Sequence, residues 1–156
     1  LIDGYLNVDK YKKDVDIKSD FFDLKVPDDC ADEILASHVI EHVFYTQAPE
    51  LLKLWYKILK PGGKLILELP DLEALCKAFL EADDQKKFEL TICIYGCSAE
   101  HVNPNLINKG ESSPHLWGFY PKVLSSILSE IGYKDIQILP AQKGHMGHNF
   151  RVEAIK

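Results

Sequence analysis

Two acids close short β-prone runs: Asp9 ends Tyr5-Leu6-Asn7-Val8-Asp9, and Asp20 ends a run that starts at Val15. A carboxylate in such a place can accept hydrogen bonds from a ligand's hydroxyl or amino groups; as a plain turn acid it would serve the backbone instead. Histidines form the second set. His38 follows a third run, Ala31 to Ser37, His42 stands just beyond it, and His115 heads the string His115-Leu116-Trp117-Gly118-Phe119-Tyr120. An imidazole with a pKa near ~6.5 can take a proton from a hydroxyl or amine at neutral pH. His115 and His38 are therefore the candidate bases, with His115 as a satisfier of a loop carbonyl the plainer alternative. Glu41 and His42 read as packed residues at a helix start. Cys93, Cys97 and His101 are spaced like metal ligands, as are His145 and His148, but zinc sites normally hold four ligands in tight pairs. No metal site is assigned.

The elements that would position these residues follow from periodicity. Ala31 to Ser37 is centred on Ile34 and Leu35, and Lys64 to Leu69 is a near-continuous apolar run, as in a strand covered on both faces. Between them Leu51, Leu54, Trp55, Ile58 and Leu59 recur at helical spacing, with Thr46 as cap and Pro49 and Glu50 in the first turn. Pro61-Gly62-Gly63 stops that helix. Asp71 can cap another, with Leu72, Leu75, Cys76, Phe79 and Leu80 along one side. Residues from about Tyr95 to Pro114 break every period and read as a long loop, a lid or binding loop. Pro121 opens a helix faced by Val123, Leu124, Ile127, Leu128 and Ile131 and stopped by Gly132. Asp135 to Leu139 and Asn149 to Ile155 close the chain as a strand pair, in which Phe150, Val152 and Ala154 alternate with polar residues. Alternating strands and helices with an antiparallel pair at the end imply a mostly parallel sheet with one reversed strand. Such sheets bind ligands at the carboxyl ends of their strands, here Asp9, Asp20, Ser37-His38 and Leu69-Pro70-Asp71.

At 156 residues, with 46% hydrophobic and 27% charged residues, the chain has the size and balance of one globular domain. A net charge of -6 argues against nonspecific nucleic-acid binding. No apolar run reaches the ~20 residues a bilayer requires, and the start lacks the basic-then-apolar pattern of a signal peptide. The four cysteines, Cys30, Cys76, Cys93 and Cys97, fall in segments that look helical or buried, and are expected to be reduced thiols in a cytoplasm.

The run ADEILASHVIEH, followed at this distance by Lys60-Pro61-Gly62-Gly63 and LILELPD, resembles class I S-adenosylmethionine-dependent methyltransferases, especially the type 11-like ones. The likeness covers nearly the whole chain. It implies an α/β, Rossmann-like methyltransferase sheet, mostly parallel with an antiparallel C-terminal strand, and an enzyme that uses S-adenosylmethionine and releases S-adenosylhomocysteine. By that resemblance Asp9 takes the ribose hydroxyls, Asp20 and Phe21 take the adenine, and Ser37-His38 pass the methionine part. His115 then faces the acceptor, a small molecule or glycan-type compound in keeping with the acidic surface.

One departure stands out. The family's first strand and its Gly-x-Gly loop have no counterpart here, since only Leu1, Ile2 and Asp3 precede Gly4. The chain is thus expected to be a fragment or a diverged member with weakened cofactor binding. With the first strand missing, either Tyr5 to Asp9 pairs directly with Ala31 to Ser37, or two chains complete each other's sheet, so self-association through exposed sheet edges is expected. The rival readings are a noncatalytic methyltransferase-like scaffold and, less well matched, a nicotinamide-dependent oxidoreductase.

Overall fold

The computed structural model describes residues 3–96, 114–142 and 147–156. Cys97, His101 and His145, and most of the expected lid loop, lie outside the described residues. Four strands form one sheet in the order β1 (Ala31–Ser37), β2 (Leu59–Pro70), β4 (Asn149–Ile155), β3 (Lys134–Pro140). β1 pairs with β2 in parallel, and β4 runs antiparallel to both β2 and β3. Three strands therefore share one direction and the last is reversed, as the element pattern predicts.

Side-chain alternation divides the sheet into two faces. Ala36, Leu65, Leu67, Leu69, Phe150, Val152 and Ala154 join the hydrophobic core. That core is covered by α1 (Ala48–Ile58) and by the helix Pro121–Ile131. The latter is α4, counted after α2 (Leu72–Glu81) and α3 (Asp84–Tyr95). Leu51, Leu52, Trp55 and Ile58 of α1 and Leu124, Ile127 and Leu128 of α4 supply the buried stripes. α4 ends where Gly132 takes the left-handed conformation (φ +116°) that only glycine adopts without strain. The opposite face carries charge. Arg151 donates to Glu68 at 2.9 Å and to Glu153 at 2.8 Å, and Lys64 donates to Glu153 at 3.1 Å.

Several expectations are corrected. Tyr5 to Asp9 and the run from Val15 form no strands of the sheet; they meet in a single parallel bridge, Val8 to Ile17. Both runs are short and flanked by exposed charged residues, so neither offers an apolar face to dock. Nor does Tyr5 to Asp9 pair with β1; the Tyr5 hydroxyl donates to the Glu33 carboxylate instead. α1 starts one residue later than expected. Its cap is Gln47, with no side-chain bond, rather than Thr46. Leu59 belongs to β2, and Lys60 to Gly63 bulge within that strand, where the one residue Asp32 of β1 faces four of β2. Gly62 there has φ +80°, and a Cβ on Gly63 would meet the Lys60 carbonyl oxygen at 2.8 Å.

Asp71 does cap α2, accepting from the Glu73 and Ala74 N–H groups. The apolar side expected for α2 is not buried, however: only Leu75 is, while Cys76 is exposed and Leu80 is 79% exposed. α2 packs against α3 rather than flat on the sheet. α3 itself was not expected, and it buries only Leu90. Cys30 is exposed and lies just outside β1, contrary to the expectation of helical or buried cysteines; Cys76 is exposed on α2 and Cys93 half-buried on α3, and none of the three forms a disulfide.

Candidate functional site

The cleft at the carboxyl end of β1 is built by three segments. β1 ends at Ser37, and His38 takes a left-handed backbone (φ +54°), strained for a residue with a Cβ. Its N–H donates to the Glu68 carbonyl of β2 at 2.8 Å, which fixes the departure point of the chain. A short 3-10 turn, Ile40–His42, then folds Glu41 inward until only 2% of it is exposed. The Glu41 carbonyl accepts the N–H groups of Leu116 (2.7 Å) and Trp117 (3.3 Å), tying the third segment to the first.

That third segment also closes α3. The last carbonyls of a helix have no partner within it. Here the His115 N–H donates to Tyr95 at 2.8 Å and His115 Nδ1 lies 3.2 Å from the Ile94 carbonyl. Gly96 makes the approach feasible, because a Cβ there would meet the His115 nitrogen at 2.8 Å. His115 thus satisfies a backbone carbonyl through one ring nitrogen, but one at the end of α3 rather than the loop carbonyl of the plainer alternative.

A carbonyl oxygen can only accept, so the nitrogen facing it carries the proton. His115 therefore keeps its Nε2 lone pair, and Nε2 sits 3.9 Å from Glu41 Oε1. Burial holds the His115 imidazole below its ordinary pKa, against the pull of Glu41, which keeps it neutral at neutral pH. His38 behaves oppositely. Its Nδ1 lies 3.0 Å from Glu41 Oε1, and this carboxylate raises its pKa in spite of desolvation. Its Nε2 is 3.3 Å from the Asn149 side-chain nitrogen, a donor, which is consistent with the proton residing on Nδ1. Glu41 Oε1 therefore has His38 against it, while Oε2 has no hydrogen-bond donor among the described residues.

A shallow cleft open to solvent lies beside this cluster, between Glu41 and His115 on one side and Leu72, Leu75 and Phe119 on the other. Trp117, 45% exposed, stacks on Tyr45 at 4.7 Å between ring centroids and forms an aromatic rim.

The acids form a separate group around the Val8–Ile17 bridge. Asp9 Oδ1 accepts the Tyr11 and Lys12 N–H groups (2.7 and 2.9 Å). Burial pushes its carboxyl up, but these bonds outweigh it and leave the pKa lowered. Asp20 is held low mainly by Lys10, 2.9 Å away, and also accepts from the Phe22 N–H. Phe21 is half-buried against the core. Ser37 stands opposite Glu68 in the sheet. The structure thus gathers His38 and His115 around Glu41, and places Asp9 and Asp20 beside the bridge, while Phe21 packs against the core. Sequence reasoning missed Glu41 and His42 as site residues. Their adjacency to His38 was the available signal, but the burial of Glu41 is a tertiary fact.

Residues 5–67 match the family described as the methyltransferase domain. No curated protein matches the sequence. Among solved structures, the chain is similar to a SAM-dependent methyltransferase from Archaeoglobus fulgidus. The TM-score is 0.58 and the identity 18%, over 90% of this chain and 66% of that one. Human N-acetylserotonin methyltransferase, solved in complex with SAM, gives 0.52 and 18% over 89% and 32%. A SAM-dependent methyltransferase from Aquifex aeolicus gives 0.51 and 16% over 89% and 53%. The chain thus spans about two thirds or less of the length of these solved chains. The likeness establishes the fold, a Rossmann-like methyltransferase sheet.

Proposed function

From residues 5–67, which carry the methyltransferase-domain pattern on a Rossmann-like sheet of class I type, we propose that the protein transfers a methyl group from S-adenosylmethionine to a small-molecule acceptor. The family match carries this reading, because it spans Asp9, Asp20, Phe21, Ser37 and His38 together. The residues present fit the cofactor's chemistry in part. Asp9 is ionised and half-buried, and its hydrogen bonds fall on Oδ1, which leaves Oδ2 for a vicinal diol. Asp20 suits an exocyclic amino group if its tie to Lys10 is shared or released. Phe21 offers a ring beside it, and the main chain of Ser37 and His38 suits the methionine part.

The cofactor supplies a methyl on a sulfonium sulfur, already a good leaving group. What remains for the chain is to position the acceptor and remove its proton. His38 is the better placed of the two candidate bases. Glu41 at its Nδ1 stabilises the imidazolium that forms when Nε2 takes a proton, and its side chain is 28% exposed. His115 and Trp117 wall the acceptor side. The Tyr45–Trp117 rim favours an acceptor with a ring, aromatic or sugar, and the net charge of -6 favours a small molecule over nucleic acid. The outer edge of β1, unpaired by any strand among the described residues, supports self-association as an accompanying property.

The test is incorporation of labelled methyl from S-adenosylmethionine into a panel of phenols, sugars and amines. The expected result is transfer confined to one class. His38→Gln should slow it by about 10²–10⁴-fold while leaving S-adenosylhomocysteine affinity within a few-fold. Equal transfer by His38→Gln would remove His38 as base, and no transfer to any class would count against the reading as a whole.

A further inference from the structure

We propose that Glu41, His42 and His115 form a binding site for one divalent transition ion of the zinc class. The three residues offer one ligand atom each, all within 4.8 Å of one another. Around a tetrahedral ion with bonds of ~2.0–2.1 Å, ligand atoms stand roughly 3.3 Å apart. The cluster is therefore within small side-chain rotations of binding geometry. Two imidazoles and one carboxylate are also the donor set that a zinc-class ion takes when it keeps a coordination position open.

Two further observations point to a cation. Glu41 is 2% exposed, and its carboxylate has only His38 against Oε1, with no hydrogen-bond donor on Oε2 among the described residues. A buried carboxylate in that condition is costly, and a bound cation removes the cost. The histidines are also set up as ligands are. Metal-binding imidazoles almost always donate their other ring N–H to a carbonyl or carboxylate, which fixes the tautomer and frees the ligating nitrogen. His115 Nδ1 faces the Ile94 carbonyl at 3.2 Å, and His42 Nδ1 faces the Pro114 carbonyl at 3.1 Å. Each ring thereby keeps its Nε2 lone pair, and the two rings lie edge to face with centroids 5.1 Å apart. His38, 3.0 Å from Glu41, would orient the carboxylate from outside the coordination sphere.

Glu41 and His115 also line the cleft beside Trp117, so an open coordination position would face it. An ion there would hold an acceptor oxygen. That last role rests on the methyltransferase reading; the binding of the ion does not.

The test uses the full, untagged chain with Zn²⁺ and Co²⁺ as probes and no cofactor present. Calorimetry should give one ion per chain, and Co²⁺ should show the visible ligand-field absorption of a low-coordinate nitrogen and oxygen site. Glu41→Gln, His42→Ala and His115→Ala should each weaken binding by at least roughly tenfold, whereas His148→Ala should leave it unchanged. Circular dichroism of each variant separates loss of ligand from loss of fold. If the folded wild type binds neither ion, or if His42→Ala and His115→Ala bind as wild type does, the site is overturned. Binding without any methyl transfer would leave the site standing and count against the methyltransferase reading alone.

Discussion

Replacing Arg151 with methionine should lower the unfolding free energy by about 3–5 kcal/mol. Glu68 is 2% exposed on the central strand β2, and Arg151 on the neighbouring β4 donates to it at 2.9 Å. Arg151 also holds Glu153, so its guanidinium joins two carboxylates on one face of the sheet. Without it, the Glu68 carboxylate keeps the Gln142 N–H at 3.1 Å as its donor among the described residues, and Glu153 keeps Lys64. The cost arises from a buried charge left unpaired, not from a large net gain of the pair itself. The double variant Arg151→Met with Glu68→Gln should therefore recover much of the loss, since the amide oxygen can still accept from Gln142. Urea unfolding at neutral pH measures both. A loss under about 1 kcal/mol for the single variant would mean that water reaches Glu68 and the pair is a surface one.

Leu67→Ala should cost about 2–5 kcal/mol. Leu67 is fully buried at the middle of β2, between Ala36 of β1 and Val152 of β4, and faces the helices of the core. Two smaller neighbours in the sheet cannot move to fill the space, because strand pairing fixes them on both sides. The cavity term should therefore persist, which places the cost toward the upper part of that range. Leu80→Ala is the matched control: Leu80 is 79% exposed on α2, and its loss should stay within about 0.5 kcal/mol. Comparable losses at the two positions, read from urea midpoints, would contradict the assignment of the core.

The parts of the fold legible in the sequence are those whose burial writes a period into the chain. KLILEL, the stripe Leu124-Ile127-Leu128 and the alternation Phe150-Val152-Ala154 each point to the face they occupy, and β2, α4 and β4 lie where those patterns put them. Tyr5 to Asp9 misled because β-propensity reports a suitable backbone, while a strand needs a partner. α3 was invisible for the opposite reason: it buries Leu90 alone, so no apolar stripe marks it. The site divides in the same way. His38 and His115 could be picked out by residue type and position. Glu41 was read as packed but not as part of the site, because nothing local announces that it will be brought against His115, more than seventy residues away.

The most direct measurement of the central claim is calorimetric titration of S-adenosylhomocysteine into the purified chain, with Asp9→Ala and Asp20→Ala as controls. One site per chain is expected, with a Kd in roughly the micromolar range, weakened in both variants with the fold intact. A folded chain that takes up no S-adenosylhomocysteine, or variants that bind it as the wild type does, would contradict the account.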